Sequence, residues 1–222
     1  GGTMANTRVR GRPPSALPER LLPRRKPRQR RSRELVDALV EAATRVLVER
    51  GWEGFTTQRV AEVAGVSTGS LYQYFPDQSS LIAEVIERQS ERELAFQLAH
   101  MAAIDPSVTL VQAIDHALDG TFAFQRQEGA LMRAALRAMP EIGRHRALAE
   151  RVSLIADGMR VLLEAHRAEL NGAEPRVVAH VLVNAVHSLT HDGALARPDW
   201  LDDAMLVAEL RQLVRGYLGI YR

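Results

Sequence analysis

Apolar residues recur every three or four positions along most of the chain, which is the period of an amphipathic helix. In the first such segment the apolar positions are 35, 36, 39, 40, 42, 43, 46 and 47. Ser32 is suited to cap the start of this helix, and Gly51 is suited to end it. No segment sustains the alternation of a half-buried strand. The pattern therefore predicts an all-α fold.

Breaks in the pattern divide the chain into further helices. Two short helices are predicted at 57–64 and 68–74, on either side of the tight turn Gly65-Val66. A long helix from 78 to about 101 follows, and the inner face expected for it is Leu81, Ile82, Val85, Ile86, Leu94 and Leu98. Proline and glycine then predict helices at 105–127, 130–139, 141–170, 175–195 and 199–219. We expect three parts: an arm at 1–31, a three-helix domain at 32–77 and a helical bundle at 78–222.

The charge of the chain is unevenly distributed. Residues 1–33 carry eleven arginines and lysines against one glutamate, a net charge of +10, so the remainder carries −8. The same stretch holds five prolines, which block helix and sheet. The sequence therefore predicts a disordered arm over residues 1–31. Such an arm either contacts DNA phosphates or only aids solubility, and charge alone does not choose between the two.

Composition excludes several classes of protein. The chain has no cysteine, which removes disulfides and thiolate catalysis. No apolar run approaches the roughly 18 residues of a membrane-spanning helix. We therefore expect a soluble, cytoplasmic protein without a membrane partner.

The pair of short helices has the features of a helix-turn-helix. Two helices that cross closely need a small residue at the contact, and Ala61 supplies it. Gly65 supplies a turn residue free of side-chain strain. Val60, Val66 and Leu71 are placed as buried anchors. These features agree with one another, which favours a DNA-binding motif over a plain helical hairpin.

The second short helix is predicted to present a neutral, hydrogen-bonding surface to the major groove. The residues of this expected surface, with the capping serine, are Ser67, Thr68, Gly69, Ser70, Tyr72, Gln73 and Tyr74. None is acidic, as a surface facing a polyanion requires. Gln73 is suited to pair with adenine through two hydrogen bonds, and Ser70 or Thr68 to reach several base edges.

The stretch from Thr56 to Phe75, TTQRVAEVAGVSTGSLYQYF, resembles the signature of the TetR family of transcriptional regulators. The resemblance extends over about 33–86. It implies an N-terminal three-helix helix-turn-helix domain followed by a C-terminal helical bundle for ligand binding and dimerisation, with no enzymatic activity and no cofactor. It also implies that Thr56 and Thr57 contact phosphate and that Gln58 reaches a base or phosphate. Relatives often carry a lysine where this chain has Gln78, so that phosphate contact is expected to be weaker here.

One recognition helix contacts too few bases for useful specificity, so we expect a homodimer on double-stranded DNA with a palindromic operator. Helices 175–195 and 199–219 are the expected dimer contact; alternatively they belong only to the core of the monomer. A small apolar or amphipathic ligand is expected within the bundle. The candidate lining residues are Met101, Phe122, Met132, Met159, Asn184 and His187, although each also suits an ordinary core position.

Several functions remain open at this level. The favoured one is a repressor that a small-molecule ligand releases from its operator; the alternative is a ligand-independent activator or architectural DNA-binding protein. A helical enzyme is disfavoured, because the chain has no phosphate-binding glycine loop and no nucleophile motif. His180, His187 and His191 have a spacing that zinc sites use, but no further ligand is clustered with them, so no metal is predicted.

Overall fold

The computed structural model describes residues 30–138, 146–196 and 203–219. These ranges form α-helices joined by short connections and one 3-10 turn, which confirms the all-α fold. The helices are α1 (Arg30–Arg50), α2 (Thr57–Ala64), α3 (Thr68–Tyr72), α4 (Gln78–Ala102), α5 (Leu110–Ala138), α6 (Arg146–Ala165), α7 (Pro175–Ala196) and α8 (Ala204–Tyr217).

Two hydrophobic cores organise the helices. The first core is built by α1, α2, α3 and the first part of α4, with buried residues such as Leu39, Leu47, Leu71 and Ile82. The last part of α5 packs into this same core at 131–135. The end of α5 therefore joins the three-helix domain to the bundle, because both bury apolar surface in one cluster.

The second core lies among the end of α4, the first part of α5, and α6, α7 and α8. Leu110, Ile114 and Leu163 are fully buried there. The helix α6 packs against both α4 and α7. On α5 and α8, Arg211 pairs with Asp115 at 3.2 Å and also with Asp119, which fixes α8 along α5.

The long helix α4 changes character between the two cores. Its inner face is apolar at 81–86, as predicted, but continues through buried polar residues at 87–97. Leu94 is only half-buried and Leu98 is exposed, so the expectation that both lie on the inner face was wrong. The buried polar groups have partners, as burial requires: Glu87 pairs with Arg151 of α6, and the Gln125 amide donates to Glu93 at 3.2 Å.

Several predicted boundaries differ from the structure. The helix α5 begins at Leu110 rather than at 105, and α6 ends at Ala165 rather than at 170. The helix α1 begins at Arg30, so Ser32 lies inside it and is not its cap; residues 1–29 of the expected arm lie outside the described residues. Gly129 does not break α5, because a glycine inside a helix costs only about 1 kcal/mol, which packing on both cores outweighs. The helix α8 begins at Ala204, where the Asp203 carboxylate accepts a hydrogen bond from the Met205 backbone N–H.

Among the described helices, none combines the length and the apolar character that crossing a membrane requires.

Candidate DNA-binding surface and ligand cavity

The turn between α2 and α3 has the geometry that the sequence predicted. Gly65 has a φ of 69°, in the left-handed region, and the Val66 N–H reaches back to the Ala61 carbonyl at 3.0 Å. Ala61, Val60 and Leu71 are buried at the crossing, and Val66 packs against the same cluster. A small residue in α2 and a left-handed glycine after it thus bring the two helices together at a fixed angle.

Side-chain caps fix the starts of both short helices. The Thr56 hydroxyl accepts a hydrogen bond from the Arg59 backbone N–H at 3.2 Å. The Ser67 hydroxyl accepts one from the Ser70 N–H at 3.1 Å and lies 2.8 Å from the Ser70 hydroxyl. Caps of this kind contribute about 1 kcal/mol each. They also leave both helix N-termini, with their partial positive charge, at the surface.

The predicted DNA-contacting residues of the two helices are brought together on one side. The Thr57 hydroxyl and the Tyr72 phenol lie 3.0 Å apart, which joins the start of α2 to the end of α3. Tyr72 is 41% exposed, and Gly69 and Gln73 are exposed beside it. Gln58 is exposed too, with its amide donating to Glu62 at 3.2 Å. The side chains of α3 thus form a neutral surface next to the start of α2.

Tyr74 does not belong to this surface. It is 7% exposed and packs in the first core beside Phe75. Its predicted position on an exposed helix face was wrong, because it follows the buried Leu71 by three residues and its backbone N–H donates to the Leu71 carbonyl at 3.0 Å, which carries it onto the buried side of α3.

Gln78, the first residue of α4, is held by the domain itself. Its amide donates to the Phe55 carbonyl at 2.5 Å. Asp77 before it caps α4 in a reciprocal arrangement with Ser80, where each side chain accepts from the other's backbone N–H. This reciprocal cap starts α4 at Gln78, where the sequence predicts the long helix to begin.

A cavity lies among α4, α5, α6, α7 and α8. The empty volume of this cavity, including its part open to solvent, is about 600 Å³, but the part wide enough to hold a water molecule is only about 60 Å³. Its walls are mainly apolar, and its polar lining comes from Glu93, Gln97, Thr121, His187 and Thr190. A narrow, mainly apolar cavity with a few polar groups is the usual form of a small-molecule site.

Three of the six predicted ligand residues line this cavity: Met101, Met159 and His187. Phe122 is buried in the second core and is not among the residues that line the cavity. Met132 lies about 15 Å further along α5 and packs in the first core.

Asn184 is exposed, and its amide donates to the His180 carbonyl at 2.8 Å. The structure therefore does not bring Phe122, Met132 and Asn184 together with the other three predicted residues at this cavity.

Sequence reasoning missed Glu93 and Gln97. The sequence nevertheless contains a pattern that marks them. One face of α4 carries residues spaced three or four positions apart, at 82, 86, 89, 93, 97 and 101. The polar residues at 89, 93 and 97 interrupt an otherwise apolar face. Polar residues on a buried face need partners, which makes them candidates for a polar site.

The two histidines of α7 whose side chains the structure describes, His180 and His187, are not brought together as metal ligands. His180 is exposed and His187 lines the cavity, while the side chain of His191 lies outside the described residues. Within the described part of the chain, no three histidine, aspartate or glutamate side chains are grouped as a metal site would need.

The helices α7 and α8 expose several large apolar side chains. Val177, Val181 and Leu189 of α7 are between 41% and 50% exposed. Met205 and Leu213 of α8 are 76% and 56% exposed. Large exposed apolar side chains that form a patch are typical of a surface that another protein covers.

Comparison with known proteins places both halves of the chain in one family. Residues 39–85 match the model described as "Bacterial regulatory proteins, tetR family", and residues 109–218 match "Tetracyclin repressor-like, C-terminal domain". A curated relative, the nucleoid occlusion factor SlmA of Haemophilus ducreyi, is 35% identical over 66 residues, which are 30% of this chain and 33% of SlmA. The chain thus matches about a third of that relative's length.

Solved structures with the same fold cover most of the chain. A TetR-family regulator from Mesorhizobium loti is 18% identical with a TM-score of 0.68, over 87% of this chain and 99% of its own. SmeT in its complex with triclosan is 20% identical in sequence with a TM-score of 0.58, over 83% of this chain and 91% of SmeT. SmeT is the repressor of the Stenotrophomonas maltophilia efflux pump SmeDEF. By its helix-turn-helix, its helical second part and the two family models, the chain belongs to the TetR family, whose members are DNA-binding transcriptional regulators and not enzymes.

Proposed function

We propose that this chain is a repressor that binds a palindromic operator as a homodimer and leaves it when a small apolar or amphipathic ligand enters the cavity. The observation that carries the proposal is the path of α4. Its first turns are buried in the core of the helix-turn-helix domain, and Glu93, Gln97 and Met101 further along line the cavity. A ligand that prefers one position of α4 therefore acts on the DNA-binding domain through a single helix.

On the DNA side, we assign phosphate contacts to the caps and first residues of the short helices. The residues are Thr56, Thr57, Gln58 and Ser67, with Gln78 as a weaker contact because its amide is already bound to a carbonyl. Base contacts belong to Thr68, Gly69, Ser70, Tyr72 and Gln73. Since this surface is neutral, the long-range attraction to DNA falls to the basic residues of 1–29.

For the dimer, we assign the exposed apolar faces of α7 and α8 to the contact between two copies. Pairing these faces buries side chains such as Met205 and Leu213, which water otherwise surrounds. A two-fold dimer then places two α3 helices about 34 Å apart, one turn of the double helix. A DNA-binding regulator of this kind acts in the cytoplasm.

A ligand is supported by the cavity and by a neighbour in fold. SmeT is known in complex with triclosan, a small molecule, although its low identity to this chain carries the fold alone. The water-accessible part of the cavity is narrow, so a ligand larger than a few atoms must displace flexible side chains. Met101 and Met159 are suited to that, since methionine adapts to different shapes.

The first test identifies the operator and then its release. The full-length protein selects binding sequences from a random DNA pool, and a footprint of the selected site should show dyad symmetry. Gln73→Ala should relax the preference at one base pair in each half-site and cost about 1–3 kcal/mol. Footprints without symmetry would contradict a dimeric repressor.

The second test concerns the ligand. A library of small apolar and amphipathic compounds is added to the protein–operator complex, and the compounds that dissociate it are compared on wild type and on a variant with the cavity filled. Loss of the response in the filled variant supports the proposal. An operator complex that no compound affects favours the alternative, a ligand-independent activator or architectural DNA-binding protein. SlmA, which matches 66 residues of this chain, is named as a nucleoid occlusion factor.

A third test concerns the basic residues. Deleting 1–29 should lower the slope of log affinity against log salt by about 0.9 for each phosphate contact that the deletion removes. An unchanged slope would show that these residues do not contact DNA.

A further inference from the structure

Most polar side chains of the cavity wall are engaged within the protein. The Thr190 hydroxyl donates to the Val186 carbonyl at 2.8 Å, one turn back in α7. Glu93 accepts from the Gln125 amide at 3.2 Å and has a further interaction within the protein, and His187 has an interaction there too. A ligand group that pairs with one of these side chains replaces a contact that the protein already makes, so its net gain is small.

Gln97 differs from these side chains, because only one end of its amide is engaged. It is 5% exposed and lies on the cavity wall. The Thr121 hydroxyl, whose oxygen is 3.2 Å from the Ala117 carbonyl, also donates to the Gln97 amide oxygen at 3.4 Å. Within the described part of the chain, the amide nitrogen of Gln97 has no acceptor at hydrogen-bond distance. A buried donor without an acceptor is unfavourable, and a ligand oxygen at this place removes that cost.

The rest of the wall favours an uncharged ligand. No lysine or arginine is among the described residues that line the cavity, so a carboxylate head would be buried without a permanent counter-charge. An ammonium head would compete with the contacts that Glu93 already makes inside the protein. The apolar lining, with Met101, Ile114 and Met159, excludes the water that would otherwise solvate either ion. A neutral molecule avoids both costs.

We propose that the cavity selects an uncharged, mainly apolar molecule with one hydrogen-bond acceptor, of the ketone or ester class. Its oxygen accepts from the Gln97 amide, and its apolar body lies against Met101, Ile114 and Met159. This inference rests on the proposed ligand site and adds the charge and the hydrogen-bonding group of its ligand. Because Gln97 belongs to α4, the polar contact is made to the helix whose first turns lie in the core of the helix-turn-helix domain.

The test uses four probes of similar size: 2-hexanone, 2-methyl-1-hexene, hexanoate and hexylammonium. The alkene has the carbon skeleton of the ketone, with a CH2 group in place of the oxygen. Binding to the full-length protein is measured by calorimetry at pH 7 and 0.15 M salt. We expect the ketone to bind, and both ions to bind at least about tenfold more weakly than the ketone, because burial penalises their charge.

Two variants separate the amide of Gln97 from the apolar walls. Gln97→Met keeps the length of the side chain and removes the amide, so it should weaken ketone binding by about three- to tenfold. Binding of the alkene should not fall in this variant, which also shows that the cavity is intact. Gln127→Met is the matched control, because it makes the same change on an exposed part of α5 outside the cavity, and it should alter neither affinity.

A second measurement uses the wild-type protein alone. The carbonyl stretching band of bound 2-hexanone, labelled with carbon-13 at the carbonyl, is recorded by infrared spectroscopy. It should lie at a lower frequency than the band of the same ketone in hexane, because accepting a hydrogen bond weakens the C=O bond. In Gln97→Met the band should return towards its position in hexane.

Three results would overturn the inference: an unshifted carbonyl band in wild type, an unchanged ratio of ketone to alkene affinity in Gln97→Met, or an ionic probe that binds as tightly as the ketone. So would the absence of ketone binding. None of these results touches the proposed function, which fails instead if no compound of any kind dissociates the operator complex.

Discussion

Replacing Gly65 by alanine should destabilise the protein, whereas the same replacement at Gly69, four residues further on, should stabilise it. Gly65 ends α2 with a φ of 69°, and Gly69 lies inside α3 without a positive φ. Both substitutions add one methyl group and restrict the unfolded chain in the same way. The difference between them therefore isolates the backbone conformation of the folded state.

The surroundings of the two glycines allow the magnitude to be worked out. A Cβ at Gly65 meets no atom within 4 Å, so its cost is that of an L-residue in the left-handed region, about 1–2 kcal/mol. A Cβ at Gly69 meets only the Ser67 hydroxyl, at 3.8 Å, which is ordinary contact. Alanine in place of a helical glycine gains about 0.5–1 kcal/mol. Because the restriction of the unfolded chain is common to both variants, they should differ in unfolding free energy by the left-handed penalty, about 1–2 kcal/mol.

The assay is urea unfolding of the full-length dimer, followed by circular dichroism at one protein concentration, because dimer stability depends on concentration. Gly65→Asn serves as a control and should lose less than Gly65→Ala, since asparagine tolerates the left-handed region. Equal stability of the two alanine variants, or a Gly65→Ala protein as stable as wild type, would contradict a left-handed backbone at Gly65 that disfavours a side chain. Gly69→Ala should also weaken operator binding while it raises stability, because Gly69 lies on the exposed side of α3.

Three further predictions concern other parts of the molecule. Tyr72→Phe removes the hydroxyl that lies 3.0 Å from the Thr57 hydroxyl; it should weaken operator binding, measured by gel shift, and lower the unfolding free energy by only about 0.5–1.5 kcal/mol. A variant that binds DNA like wild type would contradict the assigned contact. The Leu110 backbone N–H donates to the Glu169 carboxylate at 3.0 Å and lowers the pKa of that carboxyl, so the contact stabilises the fold fully above the unfolded pKa and loses this effect as pH falls through the lower folded pKa. Glu169→Gln should therefore cost about 1 kcal/mol of unfolding free energy at pH 7, and this loss should shrink below about pH 4. A loss that does not change with pH would argue against the cap. Gly158→Ala places a Cβ 2.6 Å from Leu98 and 2.9 Å from Met101, which lines the cavity, so it should cost about 1 kcal/mol of stability and weaken the binding of 1-octanol, a small amphipathic probe. Unchanged binding would show that the contact between α6 and α4 at Gly158 does not shape the cavity.

The helix-turn-helix was predictable because its determinants are local. Gly65 and Ala61 act on neighbours within a few positions, as do the capping residues Thr56 and Ser67. The turn glycine and the small residue at the crossing have the roles in the structure that the sequence predicts. Asn171 and Gly172 also take the left-handed conformation that both residue types tolerate, with φ values of 51° and 84°. Such positions depend on backbone sterics and near hydrogen bonds, which the chain carries with it.

The tertiary structure decided which face of each helix is covered. Tyr74 is buried because it lies on the same side as Leu71, which the first core covers, and Met132 belongs to that core because α5 is long enough to reach it. Glu93 interrupts an apolar face, and only the packing of five helices around it turns that interruption into the polar wall of a cavity. Periodicity fixes the angle of a residue around its own helix, but burial depends on helices distant in sequence, and their approach is a property of the whole fold.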